Sequence, residues 1–138
     1  MTLERLCRRI VVALIVLNLP ASAHAQIDEV LNPVNMAAFD PDSPVMLRGE
    51  IAGVEEPRQD VSGSLADRLI HRNHLVLRIR LADGGASWIV AGPRPGHPLY
   101  DRLKQAVGMS VVVRGYQSRD RNCDPACRAL GRDVTIDE

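Results

Sequence analysis

The 138-residue chain has few aromatic residues, no excess of charge and no long apolar run. Phe, Trp and Tyr make up 3% of the residues, so a core must be built from Val, Leu and Ile. The formal net charge is +0, which gives no basic field to recruit nucleic acid or an anionic membrane surface. The sequence also lacks a Gly-x-Ser-x-Gly nucleophile motif, a phosphate-binding loop and a His-Glu-x-x-His metal motif, so we expect no enzyme.

The one marked apolar stretch lies at the N-terminus and has the form of a secretory signal peptide. Three arginines within the first nine residues precede the apolar residues 10–19, and Ala23-His24-Ala25 supplies a small-residue cleavage site. Ten residues are about half of what a membrane-spanning helix needs. We therefore expect residues 1–25 to be removed, with no membrane anchor left, and the protein to be periplasmic or secreted.

The remaining 113 residues fit one small domain with 14 basic and 16 acidic side chains. Residues 26–44 contain three X-Pro pairs and little periodicity, which predicts an irregular lead-in. From residue 45 onward, period-two alternation predicts half-buried strands at 45–53, 75–81, 88–91, 109–114 and 133–136. A helix is predicted from Pro98 to Gly108, with Leu99, Leu103 and Val107 on one apolar stripe.

A helix between the third and fourth of five strands is the order of the OB-fold, a small Greek-key barrel. The sequence therefore predicts a mainly β fold over residues 45–138: a five-stranded OB-fold-like barrel with one helix between strands 3 and 4. An open β-sandwich is the alternative.

Two cysteines stand close together near the C-terminus, in Cys123-Asp124-Pro125-Ala126-Cys127. In an oxidising compartment such a pair most simply forms a disulfide, and we then expect no cofactor. The alternative is a Cu(I) site, in which the thiolates of Cys123 and Cys127 act with His74 or His97.

Four arginines fall on the outward positions of the predicted strands: Arg48, Arg78, Arg80 and Arg114. Their ordinary role is a solvated face with cross-strand ion pairs. Their functional role is an anion-binding or acidic-partner site, because the faces and rims of small barrels host ligands. The sequence thus predicts an accessory module that binds a small ligand or another exported protein. A periplasmic copper-binding protein is the alternative.

A series of short motifs extends over nearly all of the chain after the signal peptide. In order they are Phe39-Asp40-Pro41, Pro44-Val45-x-Leu47-x-Gly49, Asn73-His74, Asp83-Gly84, Trp88, Pro95 with Leu99, and Gly108 to Gly115 as Gly-x-x-Val-x-Val-x-Gly. In this order the motifs resemble a family of small exported bacterial proteins classed as a domain of unknown function. The resemblance implies export and an OB-fold-like domain, and no activity is established for the family.

Two positions depart from the pattern of that family. Many members begin with a His-His-Ser-Phe-like stretch, where this chain has Met36-Ala37-Ala38-Phe39. The proline of the family's Asn-Pro-His is also missing between Asn73 and His74. A metal site built on a terminal histidine pair is therefore not implied for this chain.

Overall fold

The computed structural model describes residues 25–26 and 32–137; most of the predicted signal peptide and residues 27–31 of the lead-in lie outside this range. The elements are β1 (Ala25–Gln26), α1 (Pro33–Ala38), β2 (Phe39–Glu55), α2 (Leu65–Asn73), β3 (Val76–Leu81), β4 (Trp88–Ala91), α3 (Tyr100–Lys104), β5 (Ser110–Ser118) and β6 (Cys127–Asp137). None of the described helices has the length and apolar character that crossing a membrane requires.

The five longer strands form one sheet that closes on itself. Strand β2 pairs antiparallel with β3 and with β5, β3 pairs with β4, and β5 pairs with β6. The ring is completed by a parallel pairing between β4 and β6, while β1 adds to β6 outside it. The predicted mainly β class, with five principal strands and a helix between the third and fourth, is confirmed. Closure of the sheet distinguishes it from the open-sandwich alternative.

The lead-in is more regular than the prediction of an irregular segment over residues 26–44. Pro33 occupies the first turn of α1, and the side chain of Asn32 accepts a hydrogen bond from the amide of Asn35 at 2.8 Å, which caps the helix. Strand β2 then begins at Phe39, six residues before the predicted start. Its pairing with β5 is interrupted between Phe39 and Pro44, where prolines lack the amide hydrogen that a ladder needs.

Helix α2 lies where the sequence predicted a loop between the first two strands. Ser64 caps it by accepting a hydrogen bond from the amide of Asp67 at 3.2 Å. Only a narrow face is buried, including Ala66 and Ile70 at spacing four. The local signal for this helix is present, because Leu65, Ala66, Leu69 and Ile70 recur at helical spacing and Ser64 precedes Asp67 as in a capping box. The prediction of a loop here was therefore wrong.

Helix α3 is shorter than the predicted segment from Pro98 to Gly108. Leu103 is fully buried as expected, but Val107 is 54% exposed and Ala106 packs into the core in its place. The helical hydrogen bonding ends at Lys104, so the spacing-four stripe does not extend to Val107. Gly108 adopts the predicted left-handed conformation, with φ of +89°.

Aliphatic side chains fill the interior of the ring, as the scarcity of aromatic residues predicted. Ile51, Leu77, Ile79, Val113 and Val134 are each no more than 1% exposed. These residues come from four different strands, so the core depends on closure of the sheet.

Gly49 permits the close approach of two of the ring strands. A Cβ atom at Gly49 would lie 2.0 Å from the carbonyl oxygen of Arg80 on β3. A β-bulge follows in β2, between Ile51 and Gly53.

Candidate functional site

The four arginines of the predicted binding face are all exposed on the outside of the ring. Arg48 lies on β2, Arg78 and Arg80 lie on β3, and Arg114 lies on β5. Strands β3, β2 and β5 are consecutive neighbours in the sheet. We call the outer surface of these three strands, together with the adjoining part of β6, the outer wall.

The two arginines of β3 form ion pairs with β2. The guanidinium of Arg80 lies 2.7 Å from the carboxylate of Glu50, which is its direct cross-strand partner. Arg78 lies 3.1 Å from Glu55, which is a diagonal neighbour, since the register pairs Glu55 with Val76 and Arg78 with Gly53. Both arginine side chains remain about half exposed or more, so each pair contributes little to stability, about 0–1 kcal/mol.

Arg48 and Arg114 differ from the two arginines of β3 in their ion pairing. In the described part of the chain, neither of them forms an ion pair with a carboxylate. The register of β2 with β5 pairs Arg48 with Val112 and Met46 with Arg114. The two arginines are therefore diagonal neighbours on one face of the sheet, within reach of each other's long side chains.

Two grooves adjoin this pair of arginines on the outer wall. The first has a volume of about 410 Å³, and its charged lining residues are Arg48, Arg80, Glu50 and Asp137. It thus presents charges of both signs. The second has a volume of about 370 Å³ and lies further along β5.

The second groove, here called the β5 cleft, is lined by Pro44, Val45, Met46, Arg114, Gly115, Tyr116 and Arg132. Arg132 was not among the predicted site residues, since the last strand was predicted to begin only at residue 133. The guanidinium of Arg132 lies 3.4 Å from the hydroxyl oxygen of Tyr116. None of the described residues that line this cleft is acidic.

A smaller pocket of about 170 Å³ lies on the β3–β4 side of the ring. Arg78 and Arg80 line it together with Ser87, Trp88 and Ile89. Its two arginines are the ones already held by carboxylates of β2.

The cysteine pair lies in the connection between β5 and β6. The sulfur atoms of Cys123 and Cys127 are 2.08 Å apart, which is the separation of a disulfide. Cys127 begins β6, where its amide donates to the carbonyl of Ser87 at 3.0 Å. The bridge therefore fixes the loop at the point where β6 joins β4.

The two histidines of the copper alternative both bond to the backbone. His74 is 3% exposed, and its Nδ1 lies 2.8 Å from the carbonyl oxygen of Gly92. His97 accepts a hydrogen bond at Nδ1 from the amide of Leu99. Across residues 32–137, no three His, Cys, Asp or Glu side chains converge as a metal site would require. Copper binding by Cys123 and Cys127 stays a prediction for the reduced thiolates.

His71 belongs to a polar cluster beneath the β2–β3 edge. It is buried on α2, with Nδ1 3.7 Å from the carboxylate of Glu55, which also holds Arg78. Burial lowers the pKa of His71, and the negative charge of Glu55 opposes that shift. This cluster could not be predicted, because α2 itself was missed.

Comparison with protein-family models, with curated proteins and with solved structures gave no match to this chain.

Proposed function

We propose that this chain is an exported β-barrel module of the OB type, whose outer wall binds an acidic group of a small ligand or of another exported protein. The strand order supports the OB assignment, because the ring runs β2-β3-β4-β6-β5 with β4 parallel to β6 and α3 placed before β5. The N-terminal sequence supports export, and the motif series from Phe39 onward supports kinship with the exported family of unknown function.

The observation that carries the proposal is that Arg48 and Arg114 form no ion pair with any carboxylate in the described part of the chain. A guanidinium group presents donors in a planar fork that matches a carboxylate or a phosphate. Arg78 and Arg80 already bind carboxylates of the chain, whereas Arg48 and Arg114 stand exposed beside two grooves. An acidic partner that lies across β2 and β5 would meet both of these groups.

Export is tested by the intact mass of the protein recovered from the periplasm or the medium. We expect a chain that begins at Gln26, either free or cyclised, because Ala23-His24-Ala25 supplies the cleavage site. A recovered species that retains Arg8 and Arg9 contradicts this part of the proposal.

Binding is tested by titrating the protein with a hexaglutamate peptide at low salt, followed by backbone amide NMR. We expect shift changes along β2 and β5, and an affinity at least about tenfold weaker in the Arg48→Gln/Arg114→Gln variant. Arg68→Gln is the matched control, since Arg68 is an exposed arginine on α2, away from the outer wall. Equal losses in the control, or shifts spread evenly over the surface, contradict a specific site.

A further inference from the structure

We infer that the β5 cleft is a subsite for an oxyanion, a carboxylate or a phosphate group carried on a small apolar body. The inference rests on the proposed binding function, and it specifies the part of the outer wall and the class of ligand. Its residues come from three adjacent strands: Pro44, Met46, Arg114, Tyr116 and Arg132.

The ladder between β2 and β5 places four of these side chains side by side. Arg114 and Tyr116 are two residues apart on β5, so both point outward. On β2, Met46 lies directly opposite Arg114 and Pro44 lies opposite Tyr116. The cleft is therefore built from regular strand positions, which hold its polar and apolar groups in fixed relation.

Arg132 joins this group through a bulge between β5 and β6. Arg114 pairs with Asp133 and Gly115 pairs with Gly131, which leaves Arg132 as an extra residue on β6. Gly115 allows this arrangement, because a Cβ atom there would lie 2.0 Å from the carbonyl oxygen of Leu130. A bulge re-aims a side chain, and the guanidinium of Arg132 here reaches the Tyr116 hydroxyl at 3.4 Å.

Among the described residues, the cleft presents hydrogen-bond donors and no acidic side chain lines it. Within the described ranges, no carboxylate forms an ion pair with Arg114 or with Arg132. Tyr116 accepts from Arg132, and its own hydroxyl proton remains available for an oxyanion. Asp133 follows Arg132 in the sequence, but it is 8% exposed and is not among the residues that line the cleft. Its carboxylate reduces the positive charge nearby and leaves the space of the cleft open.

The apolar side of the cleft indicates that the ligand is more than an inorganic anion. Met46 is 52% exposed beside Arg114, and Pro44 lies next to Tyr116. A flexible thioether adapts its shape to varied apolar groups. The volume of about 370 Å³ falls within the range of small-molecule sites, about 300–1,000 Å³.

The neighbouring groove of Arg48 and Arg80 is a poorer oxyanion site. Glu50 and Asp137 line it, and Glu50 already holds Arg80 at 2.7 Å. Of the carboxylates that the structure describes, an incoming anion would meet two in that groove and none in the β5 cleft.

The test uses four small probes titrated into the oxidised protein that lacks its signal peptide, followed by amide NMR. Phenyl phosphate and phenylacetate separate the two possible oxyanions, benzyl alcohol lacks the charge, and inorganic phosphate lacks the apolar body. We expect phenyl phosphate, phenylacetate or both to shift the amides of residues 114–116 and 131–133. The neutral probe and inorganic phosphate should each bind at least about tenfold more weakly than the better of these two. Equal binding of benzyl alcohol overturns the inference.

Three variants locate the binding energy. Arg132→Gln should weaken binding of the best probe at least about tenfold, and Tyr116→Phe should weaken it by a smaller factor. Arg68→Gln, an exposed arginine on α2 outside the outer wall, should leave the affinity unchanged. Thermal unfolding of each variant establishes that the fold is intact.

The outcomes separate this inference from the proposed function. If Arg132→Gln leaves the affinity for the small probes unchanged while the Arg48→Gln/Arg114→Gln variant no longer binds the hexaglutamate peptide, the inference is overturned and the proposed function stands. If the probes bind at the cleft and the peptide does not bind, the inference stands and the acidic protein partner is excluded. If neither kind of ligand binds, both are overturned.

Discussion

Truncation of Leu77 tests the strand parity on which both the ring and the outer wall depend. Leu77 lies on β3, is 0% exposed, and pairs with Val90 on one side and Val54 on the other. Leu77→Ala removes three carbon atoms, worth about 0.8 kcal/mol each in lost transfer free energy, or about 2.4 kcal/mol. The flanking strands are held by their ladders and cannot collapse fully, so a cavity term of about 1 kcal/mol is added.

The total of about 3–4 kcal/mol is a large part of the stability of a domain of this size, about 5–15 kcal/mol. Arg78→Ala is the matched control on the adjacent residue. Arg78 points outward and loses only an exposed ion pair with Glu55, so its variant should remain within about 1 kcal/mol of the parent.

Urea unfolding of the oxidised protein, followed by circular dichroism, measures both differences. The unfolding midpoint should fall markedly for Leu77→Ala at unchanged m-value and remain nearly constant for Arg78→Ala. Equal losses at the two positions would refute the inward assignment of Leu77, and with it the outward assignment of the β3 arginines.

Three further predictions follow from the buried contacts. Ellman titration of the denatured protein, after removal of its signal peptide, should find no free thiol before reduction and two after it. Two free thiols before reduction, together with Cu(I) uptake that is lost in Cys123→Ser, would favour the copper alternative over the disulfide with Cys127. Burial lowers the pKa of His71 in the folded protein, so on acidification the unfolded chain takes up the imidazole proton at a higher pH than the folded protein does. The free energy of unfolding should therefore fall as the pH drops below the ordinary value of 6.5. This loss should be smaller in His71→Gln, and identical pH profiles of the two proteins by thermal unfolding would contradict the prediction. The guanidinium of buried Arg128 on β6 donates to the carboxylate of Asp67 on α2. Asp67→Asn should cost about 3 kcal/mol by leaving the buried Arg128 charge without its carboxylate, and much of the loss should be recovered when Arg128→Met is added. A double-mutant cycle in urea with zero coupling would disprove the pairing.

Local patterns in the sequence were enough to predict which side chains face inward on the regular strands. Leu77 and Ile79 alternate with Arg78 and Arg80, and the structure buries the first pair and exposes the second. Period-two alternation is a property of the strand itself, so it is readable without knowing the partner strands.

The environment of His71 and the position of Arg132 depended on the tertiary structure. Helix α2 buries a narrow face that includes Ala66 and Ile70, and His71 becomes part of the Glu55 cluster only because that helix forms. Arg132 faces the outer wall because of the bulge opposite Arg114. The local sequence does not specify which residue of β6 the bulge leaves without a partner on β5.

Closure of the ring likewise depended on contacts between segments far apart in the chain. The parallel pairing of β4 with β6 joins Trp88 to Cys127 and Ala91 to Leu130. The sequence by itself determined the order of the five strands, the outward arginines and the spacing of the cysteines, but not where β2 and β6 begin. Only the tertiary structure decided which of these arginines form ion pairs with described carboxylates, because a shift of one residue in register moves a side chain from one face of a sheet to the other.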